Sequence, residues 1–160
     1  MNGTDARQTL ARPSTMRYEG AMSTITRTRS AKAIKIYCPV DRATLKLIQE
    51  GRLDDIDQWS ALAAIVDVVR ADNPLGDFGI YKSVMEVSLG WELFTPSVEA
   101  RPTLGEAGAT TASPTVVLTI YVPSDASSDA ISGAMTAILA AHPWETPVIE
   151  LSDTSLVMRS

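Results

Sequence analysis

One cysteine and one histidine stand among 160 residues, and that scarcity removes whole classes of chemistry. Cys38 alone excludes an internal disulfide framework and a multi-thiolate metal site. No secretory apolar segment precedes the body, so a reducing, cytoplasmic setting is expected. No apolar run approaches the roughly 18 residues that span a bilayer, and no membrane partner is expected. His142 is the only imidazole. A zinc-type centre needs three or four protein ligands, which one copy's histidine cannot supply.

What is present begins with charge. The net charge is -5, unevenly placed. Residues 1–32 carry Arg7, Arg12, Arg17, Arg27, Arg29 and Lys32 against Asp5 and Glu19. The rest holds eight basic and seventeen acidic residues. An acidic body lacks the basic footprint that nucleic acid requires, so no nucleic-acid partner is expected. The leader 1–32 is Ser/Thr-rich and poor in apolar residues, which reads as a disordered tail. Its arginines leave organellar import as the alternative. Residues 33–160, in a chain 45% hydrophobic, suffice for one domain with a core.

That domain is written twice in outline. Ile34-Lys35-Ile36-Tyr37-Cys38-Pro39-Val40-Asp41 matches Leu118-Thr119-Ile120-Tyr121-Val122-Pro123-Ser124-Asp125 in the pattern apolar-x-Ile-Tyr-x-Pro-x-Asp. Alternating β-branched and aromatic residues predict a strand in each. The proline ends the strand, and the Asp or Ser beyond it accepts from the first free amides of a helix. Ile131, Ala134, Met135, Ile138 and Ala141 follow the second copy at helical spacing, and His142-Pro143 stops that helix. After the first copy come Ala43 to Gln49 and then Trp59, Leu62, Ala63, Val66 and Val69. The Gly51–Asp57 stretch between them predicts two helical pieces.

Ile80 to Leu89 and Trp91 to Phe94 predict a hairpin or a bent long strand, with Gly90 at the turn or bulge. Residues 96–114, rich in Pro and Gly, read as a long surface loop of the functional or mobile kind. Val148 to Leu151 is a last strand. The order β-α-β-β-loop-β-α-β predicts an α+β fold, a ferredoxin-like split βαβ sandwich with an antiparallel sheet and helices on one face. Such a sheet leaves its other face bare, and oligomerisation is the expected cover.

Several motifs resemble the CutA-like inserted domain of the Nif-three-like (YqfO-type) family over residues 33–151. They are Ile34 to Pro39; Gly76-Asp77-Phe78-Gly79-Ile80-Tyr81; Gly90 to Pro96 followed by Pro102 to Gly108; Leu118 to Pro123; and His142-Pro143-Trp144-Glu145-Thr146-Pro147. The resemblance implies a stand-alone domain similar to CutA and PII signalling proteins, and hence a homotrimer. Whole Nif-three-like proteins hold two metal ions through several histidines and carboxylates. One histidine cannot rebuild that site, so their activity is not carried over. Trp144 and Thr146 stand where the family has Tyr and Glu, which removes a carboxylate, and Ala43–Gln58 is longer than the corresponding connection.

The candidate site gathers His142, Glu145, Arg101, Gly105 and Gly108. His142 and Glu145 are the candidate metal ligands for a divalent ion, with three His142 copies meeting on a trimer axis as the sharpest version. The alternative is that His142 caps a helix C-terminus while Trp144 packs. Glycine amides at Gly105 and Gly108, with Arg101 beside them, suit a small anionic ligand, although the loop lacks the Gly-Lys-Ser/Thr ending of a P-loop. Cys38 has no local partner to activate it and reads as a buried thiol. Asp54, Asp55 and Asp57 lack the glycine and distal glutamate of a calcium loop. The three tryptophans read as core or interface anchors.

The function expected is a trimeric binding or regulatory module, taking a metal ion or small anionic metabolite at subunit clefts. The alternatives are a metal-assisted hydrolase with an intersubunit site and a purely structural trimerisation domain.

Overall fold

The computed structural model describes residues 27–158. Its elements are β1 (Arg27–Pro39), α1 (Arg42–Gln49), a 3₁₀ turn (Leu53–Asp55), α2 (Ala61–Arg70), β2 (Met85–Phe94), β3 (Thr111–Pro123), α3 (Ser128–Ala141) and β4 (Ile149–Met158). The sheet order is β2-β3-β1-β4, with every neighbouring pair antiparallel. β1 and β2 are therefore parallel to each other with β3 between them, which is the ferredoxin-like split βαβ arrangement.

The two copies of the sequence repeat lie side by side at the centre. Ile34 is opposite Ile120 and Ile36 opposite Leu118, all four fully buried. Both strands end on the repeat's proline, Pro39 and Pro123. Asp41 then caps α1, its carboxylate accepting from the Thr44 amide at 2.7 Å. In the second copy the cap falls on Ser127, which accepts from the Ala130 amide. Helix α2 buries Leu62, Ile65 and Val69, and α3 buries Ala134 and Ile138, each set one stripe of a 3.6-residue period. These side chains and the inward strand residues form a single core. Each fully buried Ile or Leu contributes about 1.5–3 kcal/mol relative to an exposed one.

Several expectations need correction. Residues 27–32 are not leader: they are the start of β1 and pair with Asp153 to Met158 of β4. The same pairing extends β4 well beyond Leu151, so Ser152-Asp153-Thr154-Ser155, a turn-like composition, is strand because its backbone is laddered to Ser30–Ala33. The rest of the leader lies outside the described residues. Gly90 is neither turn nor bulge. It stands opposite Thr115 in an unbroken register, and β2 is one strand. The loop is shorter than 96–114, because Thr111 to Pro114 pair with Trp91 to Phe94. Pro114 is tolerated in β3 because β1 has already ended, and its carbonyl still accepts from the Val40 amide at 2.9 Å.

Trp59 is not part of a helix. Ser60 caps α2 by accepting from the Ala63 amide, and Trp59 before it is 85% exposed. Among the described residues no helix is long and apolar enough to cross a membrane.

Candidate functional site

The topology brings the end of β2, the start of β3, the end of β1 and the start of β4 to one end of the sheet. Two connections meet there. The loop 95–110 is tied to itself by the Thr95–Thr110 hydroxyl pair at 3.1 Å and by the Gly108 amide donating to the Pro96 carbonyl at 2.9 Å. Its ends are close and its body is compact, an Ω-loop. The α3–β4 connection, 142–148, lies against it. The Arg101 amide donates to Glu145 Oε2 at 3.0 Å, and Thr103 Oγ1 donates to the Pro143 carbonyl at 2.9 Å. The rings of Phe94 and Trp144 meet edge to face with centroids 5.2 Å apart.

Between these two segments is a cleft of about 410 Å³, within the roughly 300–1,000 Å³ of small-molecule sites. Its walls include Phe94, Pro96, Leu104 and Trp144, and its charged groups are Glu92 and Glu145. Glu92 comes from β2 and is half-buried, with Oε2 accepting from Thr115 Oγ1 at 2.9 Å. Among the described residues no Lys or Arg side chain forms an ion pair with Glu92 or Glu145.

The sequence-derived candidates are placed unevenly around this cleft. Glu145 lines it. Arg101 takes part through its backbone N–H, so its peptide matters here. Gly105 and Gly108 shape the loop with φ of +90° and +77°. A Cβ on Gly105 would lie 2.5 Å from Thr111 Oγ1, so that position needs glycine for room as well as for φ. The Gly108 amide is engaged within the loop, at the Pro96 carbonyl.

His142 is 7% exposed and does not line the cleft. It is the C-cap residue of α3. Its Nδ1 accepts from the Trp144 amide at 3.2 Å, which assigns the proton to Nε2, and Nε2 donates to the Tyr37 carbonyl at 2.8 Å. Both nitrogens are engaged, so coordinating a metal would require breaking a bond to the backbone. Among the described residues no three His, Cys, Asp or Glu side chains are grouped to hold a metal ion. The described residues of one chain do not fit a resident metal.

Sequence reasoning missed Glu92 and Phe94 as site residues. Their alternation along β2 marked a strand, but nothing local signalled that the β2 end faces the segment 143–148. It also missed a polar network on the sheet face opposite the helices. There Tyr37 Oη donates to Glu150 Oε1 at 2.9 Å, and the Lys35 ammonium lies 3.8 Å from Glu150. The Glu150 carboxylate accepting from it raises the Tyr37 phenol above its ordinary value, helped by desolvation and by Glu92. Burial, with a smaller contribution from Glu92, pushes the Cys38 thiol up to about 12. Buried and held in its thiol form, Cys38 is not an activated nucleophile.

No protein-family model matches the chain. No curated protein matches it. Among solved structures the chain is similar to a Bacillus cereus protein related to NIF3, at 17% identity with a TM-score of 0.48. The match covers 81% of this chain and 27% of that one, so this chain spans about a quarter of that protein's length. At this level the likeness carries nothing about activity or ligand.

Proposed function

We propose that the protein is a binding or regulatory module that takes a small molecule in the cleft between loop 95–110 and segment 142–148. One observation carries the reading. Two connections distant in sequence are fastened by side-chain-to-backbone hydrogen bonds around a cavity of ligand size. A loop built only to connect β2 to β3 needs no such fastening. The cavity's apolar walls and few polar groups match the usual make-up of small-molecule sites. A metal-assisted hydrolase centred on His142 draws no support from a ring whose two nitrogens already hold the backbone.

The assembly that goes with this reading is a homotrimer. Among the described residues β2 and β4 are the two open edges of the sheet. β2 presents Leu89, Trp91 and Leu93 on one side, exposed by 41%, 55% and 70%. Unpaired edges with apolar side chains invite pairing between copies. Head-to-tail contact of one copy's β2 edge with the next copy's β4 edge is heterologous, and three copies form a ring where the rotation between them closes. The same strand supports a second reading, in which the trimer is an assembly platform and the cleft holds nothing.

Native mass spectrometry gives the oligomeric state, and ligand-observed NMR with a fragment mixture tests the cleft. Ala100 lines the cleft, and Ala100→Phe should fill it. A trimer whose fragment binding disappears in Ala100→Phe is the expected result. A trimer with no fragment binding sensitive to that substitution moves the function to the platform. A monomer removes the assembly.

A further inference from the structure

The charges around the cleft specify its ligand more narrowly than its size does. An anionic metabolite, expected from the sequence alongside a metal ion, would have to enter beside Glu92 and Glu145. Neither has a cationic side-chain partner among the described residues. Each carboxylate accepts one neutral hydrogen bond, from Thr115 Oγ1 and from the Arg101 amide, and each bond is to a single oxygen, Oε2. A carboxylate has about four acceptor positions, so both retain capacity for a donor from a ligand. The neighbouring wall is aromatic and aliphatic: Phe94, Pro96, Leu104 and Trp144. Low-polarity walls strengthen attraction to a cation and repulsion of an anion at half-buried Glu92, and less so at Glu145, which is exposed. The Trp144 and Phe94 rings add surface on which an ammonium group is favourably placed.

We propose that the cleft binds a small organic cation, a primary ammonium on an apolar body about the size of one ring. The ammonium sits at Glu92 and Glu145, and the body lies along Phe94, Leu104 and Trp144. This proposal rests on the cleft being a ligand site, as argued above. Glu145 has a second consequence. It is the side chain that holds the Arg101 amide, so a cation arriving there also bears on the anchoring of loop 95–110.

The test uses the full chain carrying Trp59→Phe and Trp91→Phe, which leaves Trp144 as the sole tryptophan. Both replaced side chains are exposed and neither lines the cleft, and native mass spectrometry checks that Trp91→Phe, on the β2 edge, keeps the oligomeric state of the wild type. Trp144 fluorescence is titrated with 2-phenylethylammonium, 2-phenylethanol and phenylacetate, which share one body and differ in charge. The expected result is saturable binding of the ammonium, weaker binding of the alcohol and none of the acid. Glu92→Gln should weaken the ammonium by about ten-fold, and Glu145→Gln, whose carboxylate is exposed and screened by water, by about two- to five-fold, both leaving the alcohol unchanged. Alcohol and ammonium binding equally would overturn the charge assignment while the cleft reading stands. No response to any of the three would overturn the amine, and the cleft reading falls with it only when the fragment mixture also shows no binding that Ala100→Phe removes. A response to Zn²⁺ without one to 2-phenylethylammonium would overturn the amine in favour of a metal ion.

Discussion

His142 Nε2 lies 2.8 Å from the carbonyl oxygen of Tyr37, a bond that fastens the end of α3 to the central strand β1. The other ring nitrogen accepts the Trp144 amide. The only histidine of the chain thus serves as a buried staple, and it sets the path of the connection that forms one wall of the cleft. His142→Ala leaves both backbone groups without their partner, so a loss of about 2–4 kcal/mol is expected in urea unfolding. Dialysis of the wild type against EDTA should leave the thermal midpoint unmoved. A chelator-induced drop would show that a metal is held after all.

Arg101 and Glu145 meet through a peptide N–H, and that detail is separable by mutation. Arg101→Ala keeps the bond, so stability and ligand affinity should change by no more than about 0.5 kcal/mol. Arg101→Pro removes the donor and should free the loop. Hydrogen exchange of residues 96–109 reads the difference: protection kept in Arg101→Ala and lost in Arg101→Pro.

Cys38 is fully buried and its thiol is pushed up to about 12, chiefly by desolvation. At about pH 8 the folded protein should resist a thiol reagent that acts on thiolates. Full labelling is expected once urea unfolds the chain. Rapid labelling of the native protein would place the thiol elsewhere than in the core.

Asp41 gives a pH dependence of defined sign. The Thr44 amide holds its carboxyl below the ordinary value. The contribution is present above the ordinary carboxylate range and is lost as pH falls through the lowered folded value. Asp41→Ala should cost about 1 kcal/mol at neutral pH as a lost helix cap. Asp41→Asn keeps a cap that does not titrate. Its stability relative to wild type should therefore rise as the solution is taken to about pH 3.

Gly76 and Gly51 both have positive φ, +67° and +71°, but only one of them is crowded. A Cβ at Gly76 would lie 2.4 Å from the backbone nitrogen of Val84, and the Gly76 amide donates to the Tyr121 carbonyl at 3.0 Å. Nothing lies within 4 Å of a Cβ at Gly51. Gly51→Ala should cost about 1–2 kcal/mol, the conformational penalty alone. Gly76→Ala should cost more than about 3 kcal/mol, because backbone has to move. Equal losses in chemical denaturation would contradict the close approach of the 76 and 84 backbones.

Much of the fold was legible in particular residues. The repeat predicted two strands ending on Pro39 and Pro123, and Asp41 as a cap. The spacing of Leu62, Val66 and Val69 and of Ile131, Ala134, Met135 and Ile138 predicted α2 and α3. The candidate site was legible only in part. Glu145, named from the sequence, lines the cleft, and Gly105 and Gly108 only shape its loop, whereas Glu92 and Phe94 were read only as strand residues. His142 was singled out for its rarity, which says nothing of what its ring would meet.

Two ranges of interaction explain the difference. Strand alternation, helical stripes, proline stops and caps act within a few residues, so the order of the chain by itself determined the ferredoxin-like succession of elements. The pairing of Ser152–Met158 with residues 27–33, the Tyr37–His142 bond and the convergence of Glu92 with Glu145 on one cleft join residues far apart in sequence. Sheet register and the packing of two connections at one end of the sheet set those meetings. Only the tertiary structure decided them, because nothing in either segment alone encodes which residue stands opposite.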